Sequence, residues 1–180
     1  GGVGQSAVQI AQAVGAEIFA TASTGKWEAL KAQGIPHVLN SRTLDFADQI
    51  MQLTDGHGVD VILNSLNGEF IGKSFDVLAQ GGRFVEIGKI GIWEPQKATQ
   101  LRPDAHYYPF DLGEVTTADP SLMTSMLNEV MSRFETGAYQ PLPEIVFPDS
   151  DVGNAYRYMQ QTKHIGKVVL SFDEVQAPGI

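Results

Sequence analysis

Apolar residues recur along this chain in short blocks that switch between two periods, and the switching predicts alternating helices and strands. Ala7, Ile10, Ala11 and Val14 follow the i, i+3, i+4, i+7 spacing of a helix face, in a stretch free of proline and charge. Gly15 is placed to close that helix in the left-handed conformation. Residues 16–22 (AEIFATA) predict a short buried strand, and the turn Ser23-Thr24-Gly25 suits the cap of a helix from Lys26 to Gln33, stopped by Gly34. The next strand spans 35–40, with Pro36 at its beginning, where a missing N–H is tolerated. A helix from Leu44 to Leu53 turns Phe46, Ile50 and Leu53 inward, and VDVILN (59–64) is the clearest parallel-sheet strand. Phe70 to Ala79 is a helix, Gly81-Gly82 a tight turn, and 83–88 a strand; a loop from Lys89 to Pro103 then leads to a strand at 106–110.

Strands alternating with helices in this way predict an α/β fold with a doubly wound parallel sheet of Rossmann type, whose ligands gather at the carboxyl ends of the strands. The strand that should precede Gly1 is normally central in such a sheet. The sequence begins inside the motif, so the first strand is expected to be missing from the chain and the chain to be a piece of something larger. Asp119-Pro120 reads as the cap and first residue of a helix to Glu135, with Leu122, Met126, Leu127, Val130 and Phe134 on one side. The grammar changes after Gly137: Pro141-Leu142-Pro143, a strand at 145–147, a helix at 152–161 and a closing strand at 166–172. The expected division is therefore 1–137 and 138–180.

Bulk composition removes several classes of function. No apolar run in the 180 residues approaches the ~18–20 needed to span a membrane. A net charge of −9 argues against nucleic acid as the main partner. Without cysteine there is no thiol nucleophile and no cysteine-type zinc site, and His37, His57, His106 and His164 lack ligand spacing, so no metal is expected.

Candidate chemistry begins with Gly1, Gly2, Val3 and Gly4. Gly1 and Gly4 have the spacing of the last two glycines in G-x-G-x-x-G, where a Cβ would keep the backbone from a pyrophosphate lying at the helix N-terminus. A glycine turn in a plain α/β scaffold is the competing reading. About 20 residues past the glycines, NAD enzymes carry an acid for the ribose 2′-hydroxyl. Here stand Ala22-Ser23-Thr24-Gly25-Lys26; hydroxyls and a lysine suit a 2′-phosphate, so NADPH is expected over NADH. Asn64 and Ser65, past the 59–64 strand, could meet the nicotinamide or its ribose, or form only a capped turn. Gly88-Lys89 and Asp111 fall on the same rim. Lys89 and Asp111 could deliver the proton that follows hydride transfer to an alkene, or be an ordinary surface ion pair.

GGVGQSAVQIA, FATASTGKWEALKAQG, VDVILNSLNGEF, GGRFVEIGK, YYPFDL and HIGKVVLSF together resemble the enoyl reductase domain of modular polyketide synthases. That domain is similar to the fatty acid synthase enoyl reductase and belongs to the zinc-free branch of the medium-chain dehydrogenase/reductase superfamily. The resemblance runs in order along essentially the whole chain. It implies a cytoplasmic, NADPH-dependent reduction of a trans-2-enoyl thioester borne by an acyl carrier protein within a synthase, with hydride to Cβ and a proton to Cα. It matches Gly1–Gly4 to the pyrophosphate loop, Ser23 and Lys26 to the 2′-phosphate, and Ser41 and Arg42 to the adenine side. Asn64, Ser65 and Leu66 match the nicotinamide–ribose loop, and Gly88, Gly166 and Lys167 lie at positions close to the cofactor. Lys89 and Asp111 match the family's proposed lysine–aspartate pair. Residues 138–180 match the C-terminal return into a substrate domain built mostly from residues upstream, so this chain alone is not expected to turn over. Related alternatives are a stand-alone quinone or enone oxidoreductase, and a reductive cyclisation that forms a cyclopropane.

Overall fold

The computed structural model describes residues 1–162 and 164–172. In chain order its regular elements are α1 (Gly2–Ala13), β1 (Phe19–Ala22), a 3-10 turn at Thr24–Lys26, α2 (Trp27–Ala32), β2 (His37–Asn40), α3 (Phe46–Leu53), β3 (Val59–Asn64) and α4 (Glu69–Asp76). There follow β4 (Leu78–Glu86), α5 (Pro95–Leu101), β5 (His106–Pro109), α6 (Leu112–Ala118), α7 (Pro120–Glu135), β6 (Glu144–Pro148), a 3-10 turn at Asp149–Asp151, α8 (Val152–Gln160) and β7 (Lys167–Ser171). The fold is mixed α/β, and every strand pair is parallel. No described helix is long and apolar enough to cross a membrane.

Contacts divide the chain into two units. The larger takes residues 19–27 and 37–126. Its strands form two parallel sheets, β1-β2 and β3-β4-β5. With the expected upstream strand set between β1 and β3, this order becomes the doubly wound 3-2-1-4-5-6, so the chain is a partial domain. Residues 59–64 form a parallel strand as expected, with Val61 and Leu63 52% and 47% exposed.

One core cluster of this unit gathers Leu39, Phe46, Ala47, Ile50 and Val77; the other gathers Ile71, Phe75, Leu78, Phe84 and Ala98. Phe84 is fully buried and stacks on Phe75 with ring centroids 4.3 Å apart. The helix expected over 70–79 ends at Asp76, and β4 begins at Leu78. The predicted Gly81-Gly82 turn is instead a bulge inside β4: Val59 pairs with Leu78, then Val61 with Arg83. Gly81 has φ +72, and a Cβ on Gly82 would fall 2.7 Å from Leu78 Cδ1, so both glycines are needed there.

Two helices were not foreseen. Residues 95–101, inside the stretch read as loop, form α5, opened by Pro95 at its first turn. Residues 112–118 form α6, capped by Asp111. Arg102, just past α5, donates to the carbonyls of Phe75 (2.6 Å) and Leu78 (3.0 Å) and pairs with Asp104 at 2.8 Å, which fastens the α4–β4 junction.

The second unit takes residues 1–18, 28–36 and 127–180. Gly15 closes α1 with φ +70, as expected. The buried positions of α1 are Gln5 and Val8, whereas Ile10 and Val14, on the predicted face, are 51% and 74% exposed. Gln9 exchanges two hydrogen bonds with the backbone of Gln140, at 2.9 and 2.7 Å. β6, α8 and β7 make one βαβ crossover, with Ala155 buried and Phe147 against Tyr158. The apolar side predicted for α7 is also exposed, Leu127 by 55% and Phe134 by 38%.

Candidate functional site

In the unit that contains Gly1, the predicted glycine loop is already helical: Gly1 is the cap, and Gly2, Val3 and Gly4 form the first turn of α1. The first internal bond runs from Gln5 N to Gly1 O at 3.1 Å, so the N–H groups of Gly2, Val3 and Gly4 have no carbonyl one turn back. A Cβ on Gly4 would meet nothing within 4 Å. A Cβ on Gly2 would lie 3.0 Å from Lys167 Nζ, so the lysine predicted as cofactor-near stands against this turn. A cation beside the positive end of a helix is unfavourable until an anion arrives. Donors, open space and lysine thus fit a diphosphate. Gly166 has a different reason for being glycine: its φ is +80, and a Cβ would overlap the Pro143 carbonyl, which accepts from Lys167 N at 2.8 Å.

In the larger unit, the carboxyl ends of β1 and β2 are adjacent. Ser41 N donates to Ala22 O at 3.1 Å, and Trp27 Nε1 donates to the same carbonyl at 3.1 Å. Ser23, Lys26, Ser41 and Arg42 therefore share one edge. Ser23 begins the 3-10 turn with extended backbone and makes no side-chain cap, and Arg42 N is held by Asn40 Oδ1 at 3.0 Å. No acid occurs between Phe19 and Trp27.

The ends of β3, β4 and β5 lie in register, Asn64 opposite Glu86 and Glu86 opposite Pro109. The loops that follow carry Ser65 and Leu66, Gly88 and Lys89, and Asp111. Lys89 Nζ lies 2.5 Å from Asp111 Oδ2 and donates to Phe110 O at 3.2 Å. Asp111 Oδ1 meanwhile accepts from Gly113 N and Glu114 N at 2.7 and 3.1 Å. The Lys89 hydrogen bond first, then the Glu114 N–H, hold this carboxyl below its ordinary pKa. Both side chains stay partly exposed.

Of the two roles expected for Asn64, its hydrogen bonds in this structure are those of the turn. Its amide donates to Leu66 O (2.8 Å) and to Glu86 Oε2 (2.6 Å), and its oxygen accepts from Leu66 N (3.2 Å). The side chain is thereby engaged in holding its own loop, while Ser65 is exposed. Sequence reasoning passed over Glu86, which is fully buried. The available signal was a lone acid closing the apolar run of β4. Tyr107, beneath this cluster, has its hydroxyl pushed up to about 12 by burial and then by the Glu86 charge. A cavity of 620 Å³ beside Gly72, Trp93, Glu94 and Lys97 contains none of the predicted residues.

The zinc-binding dehydrogenase family profile matches residues 33–170. Residues present here do not fit zinc: cysteine is absent, and no group of three His, Asp or Glu is placed for a metal among the described residues. The chain is 44% identical over 182 residues to the phenolphthiocerol synthesis polyketide synthase Pks15/1 of Mycobacterium marinum, covering all of this chain and 8% of that protein. It is 57% identical to the CurK enoyl reductase at a TM-score of 0.89, covering 94% of this chain and about half (51%) of that one. The nucleotide-binding subdomain of the PpsC enoylreductase domain from Mycobacterium tuberculosis is 38% identical at a TM-score of 0.68, with 77% of this chain and 79% of that chain covered. The chain belongs to the zinc-binding dehydrogenase family, among the enoyl reductase domains of polyketide synthases.

Proposed function

We propose that this chain is the cofactor-binding part of an NADPH-dependent enoyl reductase that saturates a trans-2-enoyl thioester carried on an acyl carrier protein. The observation that carries the reading is Lys89, held against Asp111 on the rim formed by β3, β4 and β5. Bound NADPH supplies the hydride that adds to Cβ of the acyl chain. Gly1, Gly2, Val3 and Gly4 present N–H groups to its diphosphate, with Lys167 balancing charge and Gly166 shaping the turn before it. Ser23 and Lys26 take the 2′-phosphate, since the expected acid is absent, and Ser41 and Arg42 border the adenine. Asn64 fixes the loop from which Ser65 and Leu66 orient the nicotinamide ribose, and Gly88 lets the backbone pass close by. Lys89 gives its proton to Cα, and Asp111 keeps the ammonium oriented and charged.

In this reading residues 1–137 are the cofactor domain and 138–180 return into the substrate domain. The remaining pocket comes from parts of the protein outside this chain, so the chain alone does not turn over. The enzyme works in the cytoplasm beside the other synthase domains. Reductive cyclisation is a second reading, favoured by 47% identity and a TM-score of 0.89 to the CurF enoyl reductase cyclopropanase.

The test is NADPH oxidation by the full-length protein with a crotonyl or longer enoyl thioester on carrier protein. Loss of reduced-nicotinamide absorbance with a saturated acyl product supports the proposal. Oxidation with quinones or free enones alone would favour a stand-alone oxidoreductase and contradict it.

A further inference from the structure

A buried carboxylate joins the loops that the proposed reaction uses. Glu86 is the last residue of β4, the central strand of its sheet, and none of it is exposed. It stands on the same strand face as Phe84, two residues earlier, where an apolar side chain would be cheaper to desolvate. Oε2 accepts from Asn64 Nδ2 at 2.6 Å, and Oε1 accepts from Gly88 N at 2.7 Å. The backbone oxygen accepts from Phe110 N at 2.8 Å, one residue before Asp111. Glu86 therefore touches the end of β3, whose Asn64 holds the loop after it, the loop after β4 and the chain leaving β5.

The polarity of this arrangement is fixed. Asn64 Nδ2 and Gly88 N are both donors, so the group between them must accept on both sides. Because Nδ2 of Asn64 also donates to Leu66 O while Oδ1 accepts from Leu66 N, turning the amide over would break both contacts with Leu66. Gly88 is part of the same fit: a Cβ there would come within 2.7 Å of Glu86 Oε1.

We infer that Glu86 is a positioning residue for the reduction: its carboxylate sets the 64–66 loop and the 88–89 loop together, so that Ser65, Leu66 and Lys89 act on one bound cofactor and substrate. This rests on the reading above of those residues. It predicts linked effects on cofactor affinity and proton delivery from a residue that touches neither.

The experiment compares wild type, Glu86→Gln, Asn64→Asp and the double variant in the full-length protein, with rates expressed per folded fraction. Glutamine keeps the shape but turns one donor toward another donor. Glu86→Gln is expected to raise KM for NADPH and lower kcat, with kcat/KM down about tenfold to a hundredfold. Asn64→Asp opposes two carboxylates and should be similarly impaired. The double variant restores a donor–acceptor pair of reversed polarity. It should exceed Asn64→Asp alone, and with it the product of the two single effects, by about threefold or more, its recovery limited because Leu66 O loses its donor. Should Glu86→Gln fail to accumulate folded, recovery of the double variant over Asn64→Asp decides the matter. Wild-type kinetics in folded Glu86→Gln, a purely multiplicative double variant, or no recovery over Asn64→Asp would overturn the inference alone. A wild type that leaves NADPH and the enoyl thioester untouched would instead remove the functional reading beneath it.

Discussion

Phe84→Ala tests whether the sheet beneath the candidate site is held as described. The ring is fully buried, stacked on Phe75 at 4.3 Å and tilted against Tyr107 at 5.6 Å. Phe75 in turn stacks on Trp93 at 5.0 Å, so neighbours are pinned from several sides and the hole cannot readily close. Truncation of such a ring costs about 3–5 kcal/mol, of which roughly 0.5–1.5 kcal/mol reflects the aromatic pairing. For a domain of roughly 150–250 residues each kcal/mol moves the melting temperature by about 2–4 °C, so the transition should fall by roughly 10 °C. Phe84→Leu keeps part of the volume and should lose less than half as much. Calorimetry on the full-length protein, following the transition of this domain, measures both. A shift under about 2 °C for Phe84→Ala, or equal shifts for the two variants, would refute the packing.

Other outcomes follow from the site. Lys26→Ala should raise KM for NADPH about tenfold or more and leave KM for NADH nearly unchanged, because only the phosphorylated cofactor loses a charge-assisted contact; equal changes in steady-state assays would remove the 2′-phosphate assignment. Lys89→Ala should lower kcat by about a hundredfold or more while NADPH affinity, read by fluorescence titration, stays within about twofold; unchanged kcat would reduce the pair to a surface contact. Asp111 has its carboxyl held low by Lys89 and by the N–H groups that open α6. Its stabilising contribution is therefore complete above the ordinary aspartate range, near about pH 4, and is lost as pH falls through the lower folded value. Asp111→Ala should flatten that acid loss of stability in pH-dependent unfolding; an unaltered profile would contradict the cap and pair.

Much of this architecture was legible because period and punctuation agreed. Val59 to Asn64 had to be a strand, and Gly15 had to end a helix. Helix α7 starts at Pro120, where Asp119 Oδ1 accepts from Ser121 N and Leu122 N, as the Asp-Pro signal indicated. Helices α5 and α6 were hidden because each is one or two turns long with few buried residues, Ala98 alone in α5 and none in α6. The β4 bulge was hidden because Gly81-Gly82 reads equally as a turn between elements. Exposure of Ile10, Val14, Val61 and Leu63 could not be read from pattern, since periodicity marks an apolar face without naming what covers it.

Within the candidate site, Lys89 and Asp111 could be placed on one rim from strand ends alone, and the structure brings them to 2.5 Å. The role of Asn64 was ambiguous in sequence, as its partner Glu86 lies 22 positions away and only sheet register joins them. Lys167 against Gly2 is a contact across most of the chain that no local pattern encodes.

The most direct measurement is the fate of the hydride. NADPH labelled with deuterium at the transferred position, full-length protein and a carrier-bound enoyl thioester should give a saturated acyl chain with deuterium at Cβ and a solvent proton at Cα. Deuterium at Cα, or a labelled nicotinamide left intact beside unreduced thioester, would contradict it.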